Sequence, residues 1–167
     1  PRLDTHLTVP AAYRIFSLCL DRLGLGCPFP LDLSVETELV GDISDRFFGV
    51  PLTETYLAPA PAFVATYTGA LELVERIDDG IHHIGTRYAW RNELAPIDLK
   101  VVAFGNSFFE RGGTARSITW WFQRAFREFH FLWSPELNMD YVRMIKPDIV
   151  VCQTIERFLG RLPDDKF

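Results

Sequence analysis

Hydrophobic residues near the start of the chain recur every three or four positions. This spacing predicts an amphipathic helix that begins after Thr8 and continues to about Leu23. Thr8 is a suitable N-cap, Pro10 fits a first helical turn, and Gly24 ends the pattern. The apolar face of this helix comprises Ala12, Ile15, Phe16, Cys19, Leu20 and Leu23. The residues before Thr8 therefore form a loop that leads directly into a helix.

The middle of the chain changes to short β-type runs. A strand at Thr37–Val40 and a short helix after Gly41 come first. Further predicted strands are Thr55–Leu57, Phe63–Thr68, Glu72–Ile77 and His83–Trp90. Asp78-Asp79-Gly80 is typical of a hairpin turn between two of them. We therefore expect residues 50–95 to form a small, antiparallel, β-rich insertion or a flanking sheet.

From Leu99 onward, predicted strands alternate with predicted helices. The strands are Leu99–Gly105, Glu128–Trp133 and Asp148–Cys152, and the helices are Thr114–Glu128 and Leu137–Ile145. Alternation of this kind implies right-handed crossovers and a parallel sheet. The sequence therefore predicts an α/β fold with a mainly parallel sheet.

Composition narrows the class of protein. The 167 residues suffice for one domain, residues 1–167, and 48% hydrophobic residues are typical of a globular core. The net charge of −5, without a basic stripe, argues against a nucleic-acid partner. No apolar run reaches membrane-spanning length. Because the chain opens at Pro1 without a recognisable leader, we expect that further residues precede it in the full protein.

Three cysteines are present, and their spacing is not that of a metal site. Cys19 and Cys152 lie in apolar runs, which favours inert core positions. A disulfide between Cys19 and Cys27 is the alternative. The cysteines therefore do not distinguish a reducing from an oxidising compartment.

The sharpest chemical signal is the turn after the strand that starts at Leu99. Gly105 stops the apolar run, and Asn106 and Ser107 follow at once. Open α/β sheets bind ligands at the carboxyl ends of their strands, and free N–H groups after the turn can face a developing negative charge. Ser107 is therefore a candidate nucleophile. Alternatively, Gly-Asn-Ser is a common loop sequence and has no catalytic role here.

A serine nucleophile needs a base, and Asp4-Thr-His6 offers one. In a serine mechanism a histidine takes the hydroxyl proton while a carboxylate holds its ring in the required tautomer. Two residues on one loop before a helix can approach the nucleophile together. In the alternative interpretation, Asp4 and Thr8 only cap the helix and His6 is exposed.

Together these residues carry a resemblance to the alginate O-acetyltransferase family, a branch of the SGNH hydrolase-like proteins. That family has an Asp-x-His-Trp-type motif before a helix and a Gly-x-Ser-Phe/Tyr turn about a hundred residues later. Here the separation from His6 to Ser107 is 101 positions. Further family-like phrases are Gly41-Asp-Ile-Ser, Trp90-Arg-Asn-Glu, Lys146-Pro-Asp-Ile-Val-Val and Glu156-Arg-Phe. Leu7 departs from the family's tryptophan, and Asn106 replaces its commoner Asp or Thr.

The resemblance implies an SGNH-like three-layer α/β/α sandwich and a catalytic triad of Ser107, His6 and Asp4. It implies an O-acetyltransferase that transfers an acetyl group, through an acetyl-serine intermediate, to a polysaccharide hydroxyl. The partners would be a polysaccharide or oligosaccharide acceptor, an acetyl donor and other envelope polysaccharide-biosynthesis proteins, in a periplasmic or otherwise extracytoplasmic location. We expect no cofactor and no metal.

Further residues of the sequence have more than one interpretation. We expect the Ser107 N–H to donate to an oxyanion, with Asn106 or Gln153 as a second donor, since Gln153 also follows a strand.

Arg111 is a candidate for binding an anionic sugar, or alternatively a solvated loop residue. Trp121 belongs to an apolar helical stripe and is expected in the core, whereas Trp120 lies off the centre of that stripe and is the slightly better candidate for a sugar platform. A metal site among Asp78, Asp79, His82 and His83 competes with a plain polar hairpin.

Two rival functions also remain. One is a carbohydrate acetylesterase with the same triad, in which water replaces the sugar hydroxyl. The other is a non-catalytic polysaccharide-binding or scaffold protein that retains the fold.

Overall fold

The computed structural model describes residues 4–109 and 112–156, apart from the Asp45 side chain. Within these residues the elements follow in the order α1 (Val9–Arg22), β1 (Leu33–Val40), α2 (Asp42–Phe48), β2 (Thr53–Pro59), α3 (Pro61–Thr68), β3 (Leu71–Ile77), β4 (Arg87–Asn92), β5 (Ile97–Gly105), α4 (Ile118–Ala125), β6 (Phe126–Trp133), α5 (Met139–Ile145) and β7 (Ile149–Cys152). The α/β class predicted from the sequence is confirmed.

The main sheet has five strands in the order β3-β4-β6-β5-β7. Strand β5 pairs in parallel with both β6 and β7. Strand β4 pairs antiparallel with both β3 and β6. The sheet is therefore mixed, and the expectation of a mainly parallel sheet is corrected. The reason is that the hairpin of β3 and β4 joins the sheet edge, where its second strand runs opposite to β6.

A second, two-stranded sheet is formed by β1 and β2, which pair antiparallel from Leu33 opposite Pro59 to Val40 opposite Thr53. Helix α2 lies in the connection between them. Residues 50–95, which the sequence assigns to one β-rich insertion, therefore contribute to two different sheets.

The central strand β5 is buried on both of its faces. Val101 and Ala103 pack into the cluster that contains α1 and α4, whereas Val102 and Phe104 pack with Tyr141 of α5. Because successive side chains of a strand point to opposite faces, helices cover both sides of the sheet at β5. The carboxyl end of β5 is thus set between two helical layers.

Several predicted elements differ from the structure in type or in bounds. The strand expected at His83–Trp90, for example, is β4 and begins at Arg87. The stretch Phe63–Thr68, expected as a strand, belongs to helix α3, because Pro61 in the first turn presets the helical backbone. The helix expected over Thr114–Glu128 is limited to Ile118–Ala125. Its N-cap is Ser117, whose side chain accepts a hydrogen bond from the Trp120 N–H, and β6 follows without a connecting loop.

Trp120 and Cys152 also differ from expectation. Trp120 is 5% exposed, and the Arg124 guanidinium lies 3.7 Å from its ring centre. The interpretation of Trp120 as a sugar platform is therefore wrong. Cys152 is exposed rather than buried because it belongs to the alternating pattern of β7. All three cysteines, including Cys19 and Cys27, are free thiols.

No helix in the described parts of the chain combines the length and apolar composition that crossing a membrane requires.

Candidate active site

The turn that carries Ser107 is held by the residue before it. The Asn106 side-chain oxygen accepts a hydrogen bond from the Phe108 N–H at 3.1 Å, and the Asn106 carbonyl accepts one from Phe109 at 3.0 Å. Asparagine commonly forms such local turns with its own backbone. A Cβ atom at Gly105 would lie 3.0 Å from the Phe109 ring, so glycine permits this close packing. The half-buried Ser107 is thereby fixed at the carboxyl end of β5.

Helix α4 fixes the same turn from its other side. The Ile118 N–H donates to the Phe108 carbonyl at 3.2 Å, and the Thr119 N–H donates to the Phe109 carbonyl at 3.1 Å. The first N–H groups of a helix lack partners within the helix. Here two of them bind the turn, so α4 acts as its support.

The Asp4–His6 loop has the geometry of a histidine held by a carboxylate. Asp4 Oδ1 accepts a hydrogen bond from the His6 backbone N–H at 2.7 Å and lies 3.0 Å from His6 Nδ1. Since an ionised carboxylate only accepts, we assign the proton to Nδ1, which leaves Nε2 as the basic nitrogen. The Asp4 side chain is 6% exposed and that of His6 is 32% exposed.

Asp4 is kept ionised by its surroundings. Burial alone raises the pKa of the Asp4 carboxyl, but the His6 backbone hydrogen bond and the Arg116 guanidinium outweigh it. The net result is an Asp4 pKa below its ordinary value of 3.8. Asp4 can therefore orient His6 as a carboxylate throughout the neutral range.

A second carboxylate stabilises this loop. Asp42 accepts hydrogen bonds from the Thr5 backbone N–H at 2.7 Å and from the Thr5 hydroxyl at 2.6 Å. Its Oδ2 also lies 3.8 Å from His6 Nδ1. Burial raises the pKa of Asp42, but the hydrogen bonds from Thr5 outweigh this effect, so the Asp42 pKa lies below its ordinary value. Asp42 is thus ionised and fixes the residue between Asp4 and His6.

His6 and Ser107 line one cleft of about 170 Å³, although they are far apart in sequence. The other residues that line it are Leu7, Phe108, Gly113, Thr114, Arg116 and Ser117. The His6 and Phe108 rings lie 6.2 Å apart, which places the imidazole beside the Ser107 turn. The structure therefore brings together the predicted residues Asp4, His6 and Ser107.

Asn106 and Gln153 line a second cleft, of about 80 Å³, together with Ile84, Gly105, Trp133, Ser134, Pro135 and Thr154. Gln153 Oε1 accepts a hydrogen bond from the Asn106 N–H at 3.1 Å, and the Gln153 N–H donates to the Phe104 carbonyl at 2.8 Å. Gln153 therefore supports the turn from β7.

The N–H groups after the turn are largely committed to the protein. Those of Phe108 and Phe109, which the sequence left available for an oxyanion, both donate to Asn106. The Ser107 N–H stays the predicted backbone donor. Arg111, the candidate for an anionic sugar, lies outside the described residues.

The structure does not assemble the metal site considered in the β3–β4 hairpin. His82 Nδ1 lies 2.7 Å from Asp79, whereas the His83 ring stacks on Trp133 with ring centres 4.5 Å apart. Within residues 4–109 and 112–156, the group whose ligand atoms come within 4.8 Å of one another is Asp4, His6 and Asp42. Arg116 Nη2 lies 3.1 Å from Asp4 Oδ1, and this positive charge favours an oriented imidazole over a bound cation.

Two residues that contact the histidine loop, Asp42 and Arg116, were not identified from the sequence. Asp42 lies in a phrase noted only for its family likeness, and Arg116 falls inside the stretch predicted as helix. No local pattern marks either residue, because each acts on a loop more than 30 residues away. Only the folded chain brings them to His6.

The fold is of the α/β class, and Ser107, which follows the carboxyl end of β5, shares a cleft with His6, whose ring lies beside the Asp4 carboxylate. No protein-family model and no curated protein matches the chain. A DHHW family protein from Eubacterium siraeum is similar in structure, with 12% identity, a TM-score of 0.52 and coverage of 90% of this chain and 57% of that one.

Bacillus cereus PatB1 is similar too, at 12% identity and a TM-score of 0.53, over 89% of this chain and 59% of PatB1. A PatB1 structure with a sulfonyl adduct aligns at 11% identity and a TM-score of 0.51, over 89% of this chain and 57% of that one. The chain thus spans less than two thirds of these neighbours. At such identity the similarity shows a shared fold.

Proposed function

We propose that this protein is a serine-dependent O-acyltransferase that moves an acetyl group, through an acetyl-serine intermediate, onto a polysaccharide hydroxyl. The observation that carries the proposal is the cleft shared by His6 and Ser107, with Asp4 Oδ1 3.0 Å from His6 Nδ1. A histidine held in one tautomer beside a serine is the arrangement that activates a hydroxyl for attack on an ester.

The reaction begins when His6 Nε2 accepts the proton of the Ser107 hydroxyl as Oγ attacks the acetyl carbonyl of the donor. The tetrahedral intermediate collapses, the bond to the donor oxygen or sulfur breaks, and the His6 imidazolium returns the proton to that leaving group. Acetyl-Ser107 remains. The acceptor hydroxyl then gives its proton to His6, attacks the acetyl carbonyl and leaves as the new ester, while Ser107 recovers its proton.

Negative charge develops on the acetyl oxygen in both steps. We assign the Ser107 backbone N–H as one donor to this oxyanion. The amides of Asn106 and Gln153 are the candidates for the second donor, although both residues line the second cleft and not that of His6 and Ser107. Loss of one such donor raises the barrier by roughly 3 kcal/mol in serine enzymes. Because Asn106 also holds the turn through its Oδ1, its substitution is expected to affect both the turn and the oxyanion.

The finer assignments belong to the same proposal. We propose an SGNH-type fold similar to that of the alginate O-acetyltransferase family. Helices on both faces of β5 and a serine at its carboxyl end are consistent with this class. An extracytoplasmic location, an acetyl donor, an oligosaccharide or polysaccharide acceptor and partners in envelope polysaccharide biosynthesis follow from that resemblance.

An acetylesterase would use the same residues and differ only in the molecule that takes the acetyl group from Ser107, which would be water instead of a sugar hydroxyl. The two functions separate in one experiment, in which the protein is incubated with p-nitrophenyl acetate, with and without a neutral or uronic-acid oligosaccharide. A transferase forms O-acetylated oligosaccharide, detected by mass spectrometry, and releases less acetate as the acceptor concentration rises. Acetate release that no acceptor changes would contradict transfer and identify a hydrolase.

The non-catalytic alternative makes an opposite prediction. A binding or scaffold protein would retain glycan affinity but leave Ser107 unreactive toward esters and sulfonyl fluorides. The sulfonyl adduct in a PatB1 structure makes this reagent class a natural probe, since nucleophiles attack sulfonyl fluorides covalently. Labelling at Ser107 would exclude the scaffold reading, whereas tight glycan binding by an unreactive protein would replace our proposal.

A further inference from the structure

Arg116 joins the histidine loop to the segment that follows the nucleophile turn. Its Nε donates a hydrogen bond to the Leu7 carbonyl at 2.9 Å, and its Nη2 lies 3.1 Å from Asp4 Oδ1. These two partners lie on either side of His6 in the sequence. The guanidinium thus holds the Leu7 carbonyl by a hydrogen bond and the Asp4 carboxylate by an ion pair, a combination of directions that a single ammonium does not reproduce.

The pair of Arg116 and Asp4 is withdrawn from solvent. Their side chains are 12% and 6% exposed, and the Arg116 guanidinium also lies 5.8 Å from the centre of the Tyr56 ring. Ion pairs at this depth are screened far less by salt than surface pairs, and removal of one partner leaves a buried charge without compensation.

Arg116 is itself tied to the support of the Ser107 turn. The neighbouring Ala115 carbonyl accepts a hydrogen bond from Trp121 Nε1 at 2.9 Å, and Ser117 caps helix α4. That helix donates its first N–H groups to the carbonyls of Phe108 and Phe109. A continuous series of contacts therefore leads from the histidine loop through Arg116 and α4 to the nucleophile turn.

We infer that Arg116 is a positioning residue, which sets the placement of His6 relative to Ser107 by clamping both sides of the histidine loop to the base of α4. This inference rests on the proposed function for its catalytic meaning. The clamp acts through Asp4 and Leu7, and no contact of Arg116 with substrate is required. A displacement of about 1 Å in a reacting group can lower a rate by about 100-fold.

The test uses Arg116→Ala and Arg116→Lys, with Arg124→Ala as the matched control. Arg124 is also a buried arginine, but it contacts Trp120 and Thr68 and does not line the cleft of His6 and Ser107. Two quantities are measured for each folded variant. One is the rate of acetyl-enzyme formation from p-nitrophenyl acetate, and the other is amide hydrogen exchange in the peptide that contains residues 4–8.

For Arg116→Ala we expect acetyl-enzyme formation to slow by at least about tenfold with little change in KM, and exchange in residues 4–8 to accelerate. Guanidinium ion at a non-denaturing concentration should restore part of the rate, because it can occupy the space that the side chain leaves. Arg116→Lys, which retains the charge but not the fork, should fall between wild type and Arg116→Ala. Arg124→Ala is expected to be less stable, but at a temperature where it is fully folded both quantities should stay near their wild-type values.

Unchanged exchange and an unchanged rate in Arg116→Ala would overturn the inference. If Arg116→Ala does not fold, a wild-type rate and wild-type exchange in Arg116→Lys would do so. The same data separate failure of the proposed function. If the wild-type protein forms no acetyl-enzyme but Arg116→Ala still loosens residues 4–8, the clamp exists and the acyl-transfer proposal is wrong.

Discussion

The His6 ring nitrogen Nδ1 lies 3.0 Å from Asp4 Oδ1, and the same oxygen accepts the His6 backbone N–H at 2.7 Å. One carboxylate oxygen thus fixes both the backbone and the ring of the proposed base. The ring is directed by a residue only two positions away, so its orientation depends on the local loop. Placement of that loop against Ser107 depends instead on distant residues.

Asp4→Asn tests the role of this carboxylate. Asparagine preserves the size of the side chain but can present its amide N–H to Nδ1, which favours the wrong tautomer of His6. In serine enzymes this type of change lowers kcat by about 10⁴-fold. We expect acetyl-enzyme formation to fall by about 10³- to 10⁴-fold. Asp140→Asn, on an exposed side chain, serves as the control, and a loss of less than about tenfold in Asp4→Asn would remove Asp4 from the triad.

A buried polar network on the α5 side of the sheet predicts a pH dependence of stability. His130 Nδ1 lies 2.7 Å from the Tyr141 hydroxyl, and its Nε2 lies 2.9 Å from Glu128. Burial lowers the pKa of His130, and the Glu128 carboxylate offsets this only in part. Burial also raises the pKa of Tyr141 to about 12, so its hydroxyl stays a donor.

The sign follows from linkage. A histidine with a depressed pKa in the folded state binds more protons when unfolded, so its contribution is complete above its ordinary pKa of 6.5 and is lost as pH falls toward the folded value. We therefore expect the urea-measured free energy of unfolding to decrease from pH 7 toward pH 5. His130→Gln should flatten this slope. An identical slope in the variant would contradict the assignment to His130.

The aromatic core predicts a large difference between two phenylalanines. Phe16 is fully buried and stacks on Phe29 and Trp121, whereas Phe47 is 77% exposed. Phe16→Ala should destabilise the protein by about 3–5 kcal/mol, since it leaves a cavity in a close-packed core. Phe47→Ala should change stability by about 0.5 kcal/mol or less. Chemical denaturation of both variants checks the difference, and equal effects would contradict the core assignment.

Local chemistry made much of this structure predictable. The Thr8 cap and Pro10 define the start of α1, and the apolar run before Gly105 defines β5. Asp4, His6 and Ser107 could be selected because the chemistry of a serine nucleophile requires these residue types. The approach of His6 and Ser107 in one cleft depends on packing between α1 and α4, which local sequence does not encode.

Other features depended on long-range pairing. The runs at Leu71–Ile77 and Arg87–Asn92 are β-type in isolation, but nothing in their sequence says that they extend the main sheet. Phe63–Thr68 contains β-branched and aromatic residues, yet Pro61 starts a helix there. Arg116 and Asp42 were missed for the same reason, since their partners lie far away in the chain.

The group of Asp4, His6 and Asp42 also permits a test for metal dependence. If the imidazole is a base held by carboxylates, dialysis against EDTA should leave acetyl-enzyme formation unchanged, and added Zn²⁺ should not increase it. Loss of the reaction in EDTA, with recovery on addition of a divalent ion, would contradict this account and show a metal-dependent reaction, for which these three side chains are the candidate ligands.

The most direct test of the account is covalent labelling of Ser107. The wild-type protein is mixed with p-nitrophenyl acetate and examined by intact mass, followed by peptide mapping, alongside Ser107→Ala and Ser134→Ala. Ser134 is a serine of the second cleft and serves as the control. The account predicts a nitrophenol burst and one acetyl group on Ser107 in wild type and Ser134→Ala, and neither in Ser107→Ala. An acetyl group that persists in folded Ser107→Ala, or its absence from folded wild type, would contradict the proposed nucleophile.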